Sequence, residues 1–454
     1  MGIGAYFSRF LEKNAIQNFL KIELILSVLG ASSVILLKVL YLYFSISPYL
    51  FQFFYLFTTM LIGVFVGGEL PLVATIYKEL KIKTKSIISD LFTFDYIGGL
   101  VASLLFPLLL LPLLGLYNVS IFIGTLNLGV CIMYIQYMKK QKINLDKYYF
   151  IVGGIILYFL ALLFFSSKFE NFYLRQYYRE PILEVHNSEY QNIVLTKRGE
   201  DFRMYLNGNI QFLSLDEARY HEALVDWPMK MLKNTGSPNG GLEVLVLGGG
   251  DGLAVRNLLK YENISEITLI DLDPKITDLA KNQKDLVALN QNSLHNNKVK
   301  IIHGDAFSYL QKIDQKYDMI LADFPDPRDV GTAKLYSQEM YMGIERILKV
   351  EGIFVTQASN AFFSNKAFWS INKTINQVFG NSLAYHRYLP SFGDWGFVVA
   401  QKGGIQTEDI CGDLGCTGFD EDYKISDEQD IKINTLSHPK IIEYYGEGYN
   451  KFNL

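Results

Sequence analysis

The chain has 454 residues and a formal net charge of −4, and it contains no basic tract, so a nucleic-acid partner is not expected. Hydrophobic residues make up 50% of the sequence, a high share for a purely soluble protein. Its three cysteines are too few for a disulfide-rich scaffold. Cys411 and Cys416 form a C-x4-C pair, but no other cysteine or histidine accompanies them at ligand spacing. We therefore expect no metal site; a disulfide or metal site at this pair is the less favoured alternative.

The apolar residues are concentrated before about residue 167. Each of the apolar segments approaches or exceeds the roughly 20 residues that a helix needs to cross a bilayer. These segments are 23–45, 50–76, 91–114, 118–138 and 148–166. They predict a multi-span α-helical membrane domain of about five helices over residues 1–167, with the lipid bilayer as a partner.

The periodicity changes from about residue 180. Short alternating segments between Glu184 and Phe212, with the turn signal Asn207-Gly208, predict a small antiparallel β unit. A linking helix completes a unit over 180–240. Strands and helices then alternate over 241–403, which predicts a doubly wound, mostly parallel sheet of the Rossmann-like α/β class. Residues 404–454 are predicted to form a polar C-terminal appendage.

A glycine-rich loop and recurring acids are the most informative features of the α/β segment. The run V-L-V-L-G-G-G-D-G ends a predicted strand, and Gly250 lets the backbone approach a ligand. Acidic residues follow the predicted strands at Asp251, Asp271, Asp305, Asp323 and Asp326. The carboxyl ends of parallel strands meet in one crevice, so these carboxylates are expected to converge there. Converging carboxylates favour a cationic ligand.

The loop spacing disfavours a dinucleotide. The loop reads G-x-G-x-G rather than G-x-G-x-x-G, and Asp251 stands where a pyrophosphate would bind and would repel it. A positively charged nucleoside without phosphates fits better, and S-adenosylmethionine and its decarboxylated form are such molecules. Asp271 has the spacing of an acid that binds ribose hydroxyls, and Asp305 would lie near the adenine amino group.

The segment D-F-P-D-P points to amine chemistry. Its two prolines restrict the turn that carries Asp323 and Asp326, and two such acids can hold an ammonium group. An alkylamine, with a pKa of about 10.4, arrives protonated at neutral pH and must lose a proton before it can attack. Asp323 is therefore predicted to be the general base. The alternative is that one of the acids, more readily Asp326, caps a helix N-terminus.

Together these motifs resemble the aminopropyltransferases of the spermidine synthase type. The matching runs, in the family order, are Y-Q, L-N-G-N-I-Q-F-L-S-L-D-E-A-R-Y-H-E, V-L-V-L-G-G-G-D-G, I-D-L-D-P, G-D-A-F, Y-D-M-I-L-A-D-F-P-D-P and L-Y-S-Q-E-M-Y. The resemblance covers about residues 183–403, and the apolar half is similar to that of the membrane-attached bacterial members. It implies a catalytic domain of the class I S-adenosylmethionine-dependent transferase type behind the membrane domain.

The resemblance also implies an activity and residue roles. The activity would be transfer of the aminopropyl group of decarboxylated S-adenosylmethionine, as co-substrate and without a metal, to putrescine or a related polyamine. The donor would be bound by Gln191, His221, Gly250, Asp251, Asp271, Asp305 and Ala306. Asp323 would be the general base, and Tyr220 and Asp326 would orient the acceptor amine. For His221 a packed core role stays open beside the substrate-lining one.

The chain departs from the soluble members at the acceptor end. The loop Leu389–Phe397 has proline where those members often have a tyrosine, and an acid that some carry near Gln357 is absent. Asp394 could replace the lost charge. The acceptor is therefore either putrescine or a longer or different amine. The family often forms dimers, which makes a homodimer possible.

Two other functions stay open, and the topology of the apolar half is ambiguous. A methyltransferase would use the intact cofactor, and a non-catalytic polyamine sensor or transporter would use the acids Glu69 and Asp95 of the apolar half, which otherwise pair near an interface.

Basic clusters at 78–85 and 139–147 are expected on the cytoplasmic side. With five spans the catalytic domain would then lie outside, against the cytosolic side that its chemistry favours; a further upstream span would remove the conflict.

Overall fold

The computed structural model describes residues 1–44, 47–80, 87–232, 241–404 and 431–452, so Cys411 and Cys416 lie outside the described residues. The chain divides into two compact units, Met1–Pro181 and Ile182–Leu454. The first unit extends beyond the predicted boundary at residue 167, because its last helix continues to Tyr178.

The regular structure of the first unit is helical in the residues described. Its α-helices are α1 (Gly2–Ser8), α2 (Ala15–Phe44), α3 (Pro48–Glu79), α4 (Ile87–Leu105), α5 (Leu111–Lys140) and α6 (Tyr148–Tyr178). A 3₁₀ turn, Glu12–Asn14, precedes α2, and a π-helical turn, Phe106–Leu110, joins α4 to α5. The core of this unit is formed mainly by α2, α5 and α6, with apolar side chains such as Leu20, Cys131 and Tyr148.

Four helical stretches among the described residues are long and apolar enough to cross a membrane. They are Glu12–Phe44, Tyr49–Glu79, Ser89–Lys140 and Tyr148–Tyr178. The third has 52 residues and is broken at Gly115 (φ 70°, ψ 162°), between the predicted segments 91–114 and 118–138. Large apolar side chains there face outward; Phe94 is 75% exposed. The apolar helices are therefore present, and their crossing of a bilayer stays a prediction.

The second unit begins with a four-stranded antiparallel sheet in the order β1-β2-β3-β4. Its strands are β1 (Ile182–Asn187), β2 (Asn192–Arg198), β3 (Asp201–Leu206) and β4 (Asn209–Leu213). Asn207 and Gly208 both have positive φ, 51° and 82°, as a two-residue type I′ hairpin requires. The predicted β unit and its turn are thus confirmed.

A seven-stranded sheet forms the centre of the second unit, in the order β10-β11-β9-β8-β5-β6-β7. Its strands are β5 (Leu242–Gly248), β6 (Ile264–Asp271), β7 (Val299–His303), β8 (Tyr317–Asp323), β9 (Leu348–Asn360), β10 (Ser382–Leu389) and β11 (Gly393–Gln401). The five strands from β9 to β7 are parallel, and β10 and β11 run antiparallel at one edge. The central strands β5 and β8 are nearly continuous apolar runs because both of their faces are covered.

Helices cover both faces of this sheet. They are α7 (Glu217–His221), α8 (Trp227–Leu232), α9 (Leu253–Leu258), α10 (Pro274–Asn282), α11 (Lys284–Asn290), α12 (Ala306–Lys312), α13 (Val330–Ala333), α14 (Gln338–Ile347), α15 (Asn365–Phe379) and α16 (Lys440–Phe452). A π-helical turn, Glu222–Asp226, links α7 to α8, and 3₁₀ turns occur at Ser293–His295 and Lys334–Tyr336. The result is the predicted α/β architecture.

The C-terminal region differs from the predicted polar appendage. Part of this segment packs into the core of the α/β unit, where Ile441 is fully buried and Tyr444 and Tyr445 are 9% and 5% exposed. The spacing of these three residues, i, i+3 and i+4, places them on one face of α16. The segment is polar on average, so its composition did not indicate the short apolar face of this helix.

Candidate active site

The predicted site residues lie together at the carboxyl ends of the parallel strands. They surround a cavity of about 1350 Å³ in the α/β unit. All ten line it: Gln191, Tyr220, His221, Gly250, Asp251, Asp271, Asp305, Ala306, Asp323 and Asp326. The sheet topology brings them together because β5, β6 and β8 end at one edge.

The glycine loop follows β5 and joins the ends of three strands. A side chain on Gly248, at φ 80°, would come within 2.2 Å of the Asp323 carbonyl oxygen, and one on Gly250 within 2.5 Å of Asp271 Oδ2. Only glycine allows both approaches. The Gly250 N–H donates to Asp271 Oδ2 at 2.9 Å, so the loop and the acid fix each other.

At the predicted nucleoside end, a supporting residue that was not predicted from the sequence holds two of the predicted ones. Asp273 donates its backbone N–H to Asp271 Oδ1 at 2.8 Å, and its own Oδ2 accepts from Gln191 Nε2 at 2.8 Å. Ser188 Oγ also donates to that oxygen, at 2.7 Å. Asp273 therefore orients both predicted nucleoside-binding side chains, which a run of acids in I-D-L-D-P could have suggested.

Asp305 has a second role beside the predicted contact with adenine. It caps α12 by accepting from the Ser308 N–H at 3.1 Å, and Lys334 Nζ lies 2.8 Å from its Oδ1. Burial works in the opposite direction, but the hydrogen bonds from Lys334 and Ser308 lower the pKa of Asp305. The carboxylate is thus held ionised at the rim, and its contact with adenine stays a prediction.

Asp323 ends β8 and has a phenol as its hydrogen-bond partner. The Tyr220 hydroxyl donates to Asp323 Oδ1 at 2.5 Å, and Asp323 is 7% exposed. Burial raises the pKa of Asp323 above the usual range of aspartate. Burial and the neighbouring carboxylate raise the pKa of Tyr220 well above its ordinary value, so Tyr220 is a neutral donor. A buried carboxylate with a raised pKa is a stronger base than one in water.

His221 combines the packed and the cavity-lining roles that stayed open. Its Nδ1 lies 2.8 Å from Glu217 Oε2, and the Arg256 guanidinium donates to both Glu217 oxygens, at 2.8 and 2.9 Å. Burial favours neutral imidazole, but Glu217 and the cavity carboxylates Asp323 and Asp251 raise the pKa of His221 overall. A charged His221 would offset part of the negative charge. The Glu217–Arg256 pair was not predicted.

Asp326 is not a helix cap, so that alternative is wrong. Asp329 caps α13 in a capping box with Thr332. Asp326 Oδ2 instead accepts from the Tyr445 hydroxyl at 2.8 Å and lies 3.6 Å from the Arg328 guanidinium. Tyr445 comes from α16, outside residues 183–403, which contain the predicted site residues.

The loop between β10 and β11 forms another wall of the cavity. The Ser391 N–H and hydroxyl donate to Asp216 Oδ2 at 2.8 and 2.6 Å, which ties the loop to the start of α7. Asp394 lines the cavity, with its Oδ1 3.3 Å from His386 Nδ1. Gln357 is buried and supports the turn after β8 through Nε2, which donates to the Phe324 carbonyl at 2.6 Å.

Replacing Asp251 by asparagine is expected to stabilise the protein at neutral pH. Burial and the charge of Asp323 raise the pKa of Asp251 from 3.8 to about 6. The ionised form is therefore disfavoured in the folded state, and stability is lost as the pH rises from about 4 through about 6. We expect the variant to gain about 1–3 kcal/mol at pH 8.

Thermal unfolding followed by tryptophan fluorescence checks this at two pH values. At pH 5 the wild-type carboxyl is largely protonated, so the difference between variant and wild type should shrink. An asparagine variant that is less stable at pH 8, or equally shifted at both pH values, would contradict the assignment.

Comparison with known proteins identifies the family. Residues 217–409 match the model of the spermine/spermidine synthase domain. Curated relatives named polyamine aminopropyltransferase align along nearly the whole chain. The protein from Leptospira interrogans serovar copenhageni is 36% identical over 99% of this chain and 90% of its own length. The one from Oceanobacillus iheyensis is 33% identical over 100% and 89%, and polyamine aminopropyltransferase 2 of Aquifex aeolicus is 34% identical over 98% and 89%. The chain therefore belongs to the polyamine aminopropyltransferase family of enzymes.

Proposed function

We propose that the enzyme transfers the aminopropyl group of decarboxylated S-adenosylmethionine to putrescine, giving spermidine and methylthioadenosine. The main support for this proposal is the position of Asp323. It is a buried carboxylate at the end of β8 that accepts a hydrogen bond from Tyr220 and lines the same cavity as Asp251. Such a group can accept a proton from an amine that must become neutral before it attacks.

The reaction is an in-line displacement. The free electron pair of the amine nitrogen forms a bond to the methylene carbon next to the sulfonium. The carbon–sulfur bond breaks, its electron pair stays on sulfur, and neutral methylthioadenosine leaves. The proton of the acceptor ammonium goes to Asp323 before or during attack. Positioning of the two reactants by the acids of the cavity supplies a large part of the rate.

The charges of the cavity favour the decarboxylated donor. Asp251 and Asp323 are both buried, and each is 7% exposed or less. A cationic aminopropyl arm is attracted by these groups, whereas the carboxylate of intact S-adenosylmethionine would meet fixed negative charge. This is the reason to prefer aminopropyl transfer over methyl transfer.

Turnover of the purified, detergent-solubilised enzyme tests the proposal. Putrescine is supplied with either decarboxylated or intact S-adenosylmethionine, and methylthioadenosine and S-adenosylhomocysteine are both quantified. We expect methylthioadenosine only with the decarboxylated donor. Release of S-adenosylhomocysteine would favour a methyltransferase, and polyamine binding without any product would favour a sensor or transporter. Spermidine as acceptor in a parallel reaction tests the choice of amine.

The apolar unit is proposed to anchor the enzyme in the cytoplasmic membrane, with the catalytic unit in the cytosol. Four helical stretches of sufficient length and hydropathy support this, together with outward-facing apolar side chains such as Leu108 and Leu113, which are 74% and 72% exposed. Resistance to alkaline carbonate extraction is the expected behaviour of an integral protein. In a variant whose three native cysteines are replaced by serine, a cysteine introduced at Asp314 that is labelled by an impermeant reagent in intact cells would place the catalytic unit outside instead. Formation of a homodimer is a further expectation, tested by the mass of the solubilised enzyme.

A further inference from the structure

The C-terminal segment is anchored to the α/β unit by buried polar contacts. Asn434 is fully buried; its Nδ2 donates to the Ala333 carbonyl at 2.9 Å, and its N–H donates to Thr374 Oγ1 at 3.0 Å. These bonds connect the segment to α13 and α15. A segment with such contacts has a defined position relative to the cavity.

Helix α16 lies directly against the cavity wall. A side chain on Gly448 would come within 2.2 Å of the Phe363 carbonyl oxygen and 3.0 Å of Ser364 Cα. Phe363 and Ser364 both line the cavity. The glycine thus allows the helix backbone to approach this wall closely. One turn earlier in the helix, another residue reaches into the cavity.

That residue is Tyr445. It is 5% exposed, lines the cavity, and donates its hydroxyl hydrogen to Asp326 Oδ2 at 2.8 Å. The Arg328 guanidinium lies 5.5 Å from the centre of the Tyr445 ring and 3.6 Å from the same carboxylate oxygen. Tyr445 from α16 and Arg328 from the turn after β8 therefore both contact Oδ2 of Asp326.

The other oxygen of Asp326 has a different environment. Oδ1 is buried and makes no hydrogen bond of standard geometry with a described residue, although the Ser359 side chain is near enough to stabilise the charged carboxylate. A buried carboxylate oxygen without a donor is costly unless a ligand supplies one. The ammonium group of an acceptor amine has three N–H donors and a positive charge, so it matches that need.

We propose that Tyr445 is a positioning residue of the acceptor site: α16 completes this end of the cavity, and the Tyr445 hydroxyl holds Asp326 so that Oδ1 faces the acceptor ammonium. This rests on the proposed aminopropyl transfer. It assigns a role in acceptor binding to a segment beyond the matched domain, which ends at residue 409. Tyr445 acts through Asp326 and does not itself take part in the displacement.

The test separates acceptor binding from donor binding and from folding. Tyr445→Phe removes the hydroxyl and keeps the ring. We expect KM for putrescine to rise about tenfold, since a hydrogen bond to a charged group is lost, with KM for decarboxylated S-adenosylmethionine unchanged. The control is Tyr444→Phe, whose hydroxyl accepts from the Lys432 N–H at 3.2 Å and does not line the cavity; it should resemble wild type.

A double-mutant cycle with Asp326→Asn shows whether the two side chains act together. If Tyr445 works through Asp326, adding Tyr445→Phe to Asp326→Asn should change KM for putrescine by less than twofold. Equal changes in both KM values, or a Tyr445→Phe variant like Tyr444→Phe, would overturn the inference while wild-type turnover still supports the proposed function. An inactive wild-type enzyme would instead reject the proposed function itself.

Discussion

Replacement of Asp323 by asparagine is expected to lower kcat by about 10²–10⁴-fold, the usual contribution of a positioned general base. The amide keeps the size of the side chain and can still accept from the Tyr220 hydroxyl, now 2.5 Å from Oδ1. It cannot take the proton of the acceptor ammonium. Methylthioadenosine release from the solubilised enzyme measures the loss. KM for the nucleoside donor should change far less than kcat, because Asp251 still attracts the cationic aminopropyl arm.

Measuring the stability of the same variant tests whether misfolding causes its loss of activity. Burial raises the pKa of Asp323, so the ionised carboxylate destabilises the fold at neutral pH, and its removal should leave the melting temperature unchanged or higher. Asp314→Asn is the matched control because the Asp314 side chain is fully exposed, at 100%. Activity of Asp323→Asn within tenfold of wild type would show that another group accepts the proton.

Glu217→Gln is expected to have the largest effect on stability. Glu217 is 5% exposed and receives hydrogen bonds from Arg256 and His221. Loss of its charge leaves the Arg256 guanidinium buried without a counter-ion, which costs about 3–5 kcal/mol. Thermal or denaturant unfolding of the solubilised enzyme, followed by tryptophan fluorescence, measures the change.

The contribution of Glu217 to stability should also depend on pH. Burial opposes ionisation of Glu217, but the hydrogen bonds from His221 and Arg256 lower its pKa from 4.5 to about 2. Its stabilising contribution is therefore complete above about pH 4.5 and is lost as the pH falls toward 2. Glu222→Gln is the control: this neighbouring acid is 45% exposed and lies 3.4 Å from Arg387, so about 1 kcal/mol or less is expected. Equal effects of the two substitutions would refute the buried network.

The opposite pKa shifts of Glu217 and Asp251 follow from what each residue faces. Glu217 accepts hydrogen bonds from Arg256 and His221 and is stabilised as an anion. Asp251 is buried near the negative charge of Asp323, and its pKa is raised to about 6. One acid supports the fold and the other is held in an unfavourable environment. Such an environment becomes favourable when a cationic donor and an acceptor ammonium enter between the acids.

Local sequence was sufficient where a feature depends on a few neighbouring residues. Asn207-Gly208 forms the predicted hairpin turn because both residues tolerate positive φ. Gly250 and Asp271 could be assigned to one crevice because parallel strands end at the same edge of a sheet. The apolar helices were also predictable, and the break at Gly115 lies where the sequence separates two apolar segments.

Features that depend on contacts between distant segments could not be predicted in this way. Tyr445 and Asp326 are 119 residues apart in the chain, and Glu217 and Arg256 are 39 apart. No local pattern marks either pair. The role of Asp326 also could not be predicted from local sequence. A helix cap was a reasonable local alternative, but the structure has Asp329 as the cap.

The amino-acid sequence by itself determined the order of the two units, the α/β class of the second, and five of the acids that line its cavity, because period, turn chemistry and strand-end position are local properties. Only the tertiary structure decided which of those acids have raised pKa values, which are paired, and which side chains hold them. Burial and the distance between charges set a pKa, and both arise only when segments far apart in the chain, such as β8 and α16, pack together.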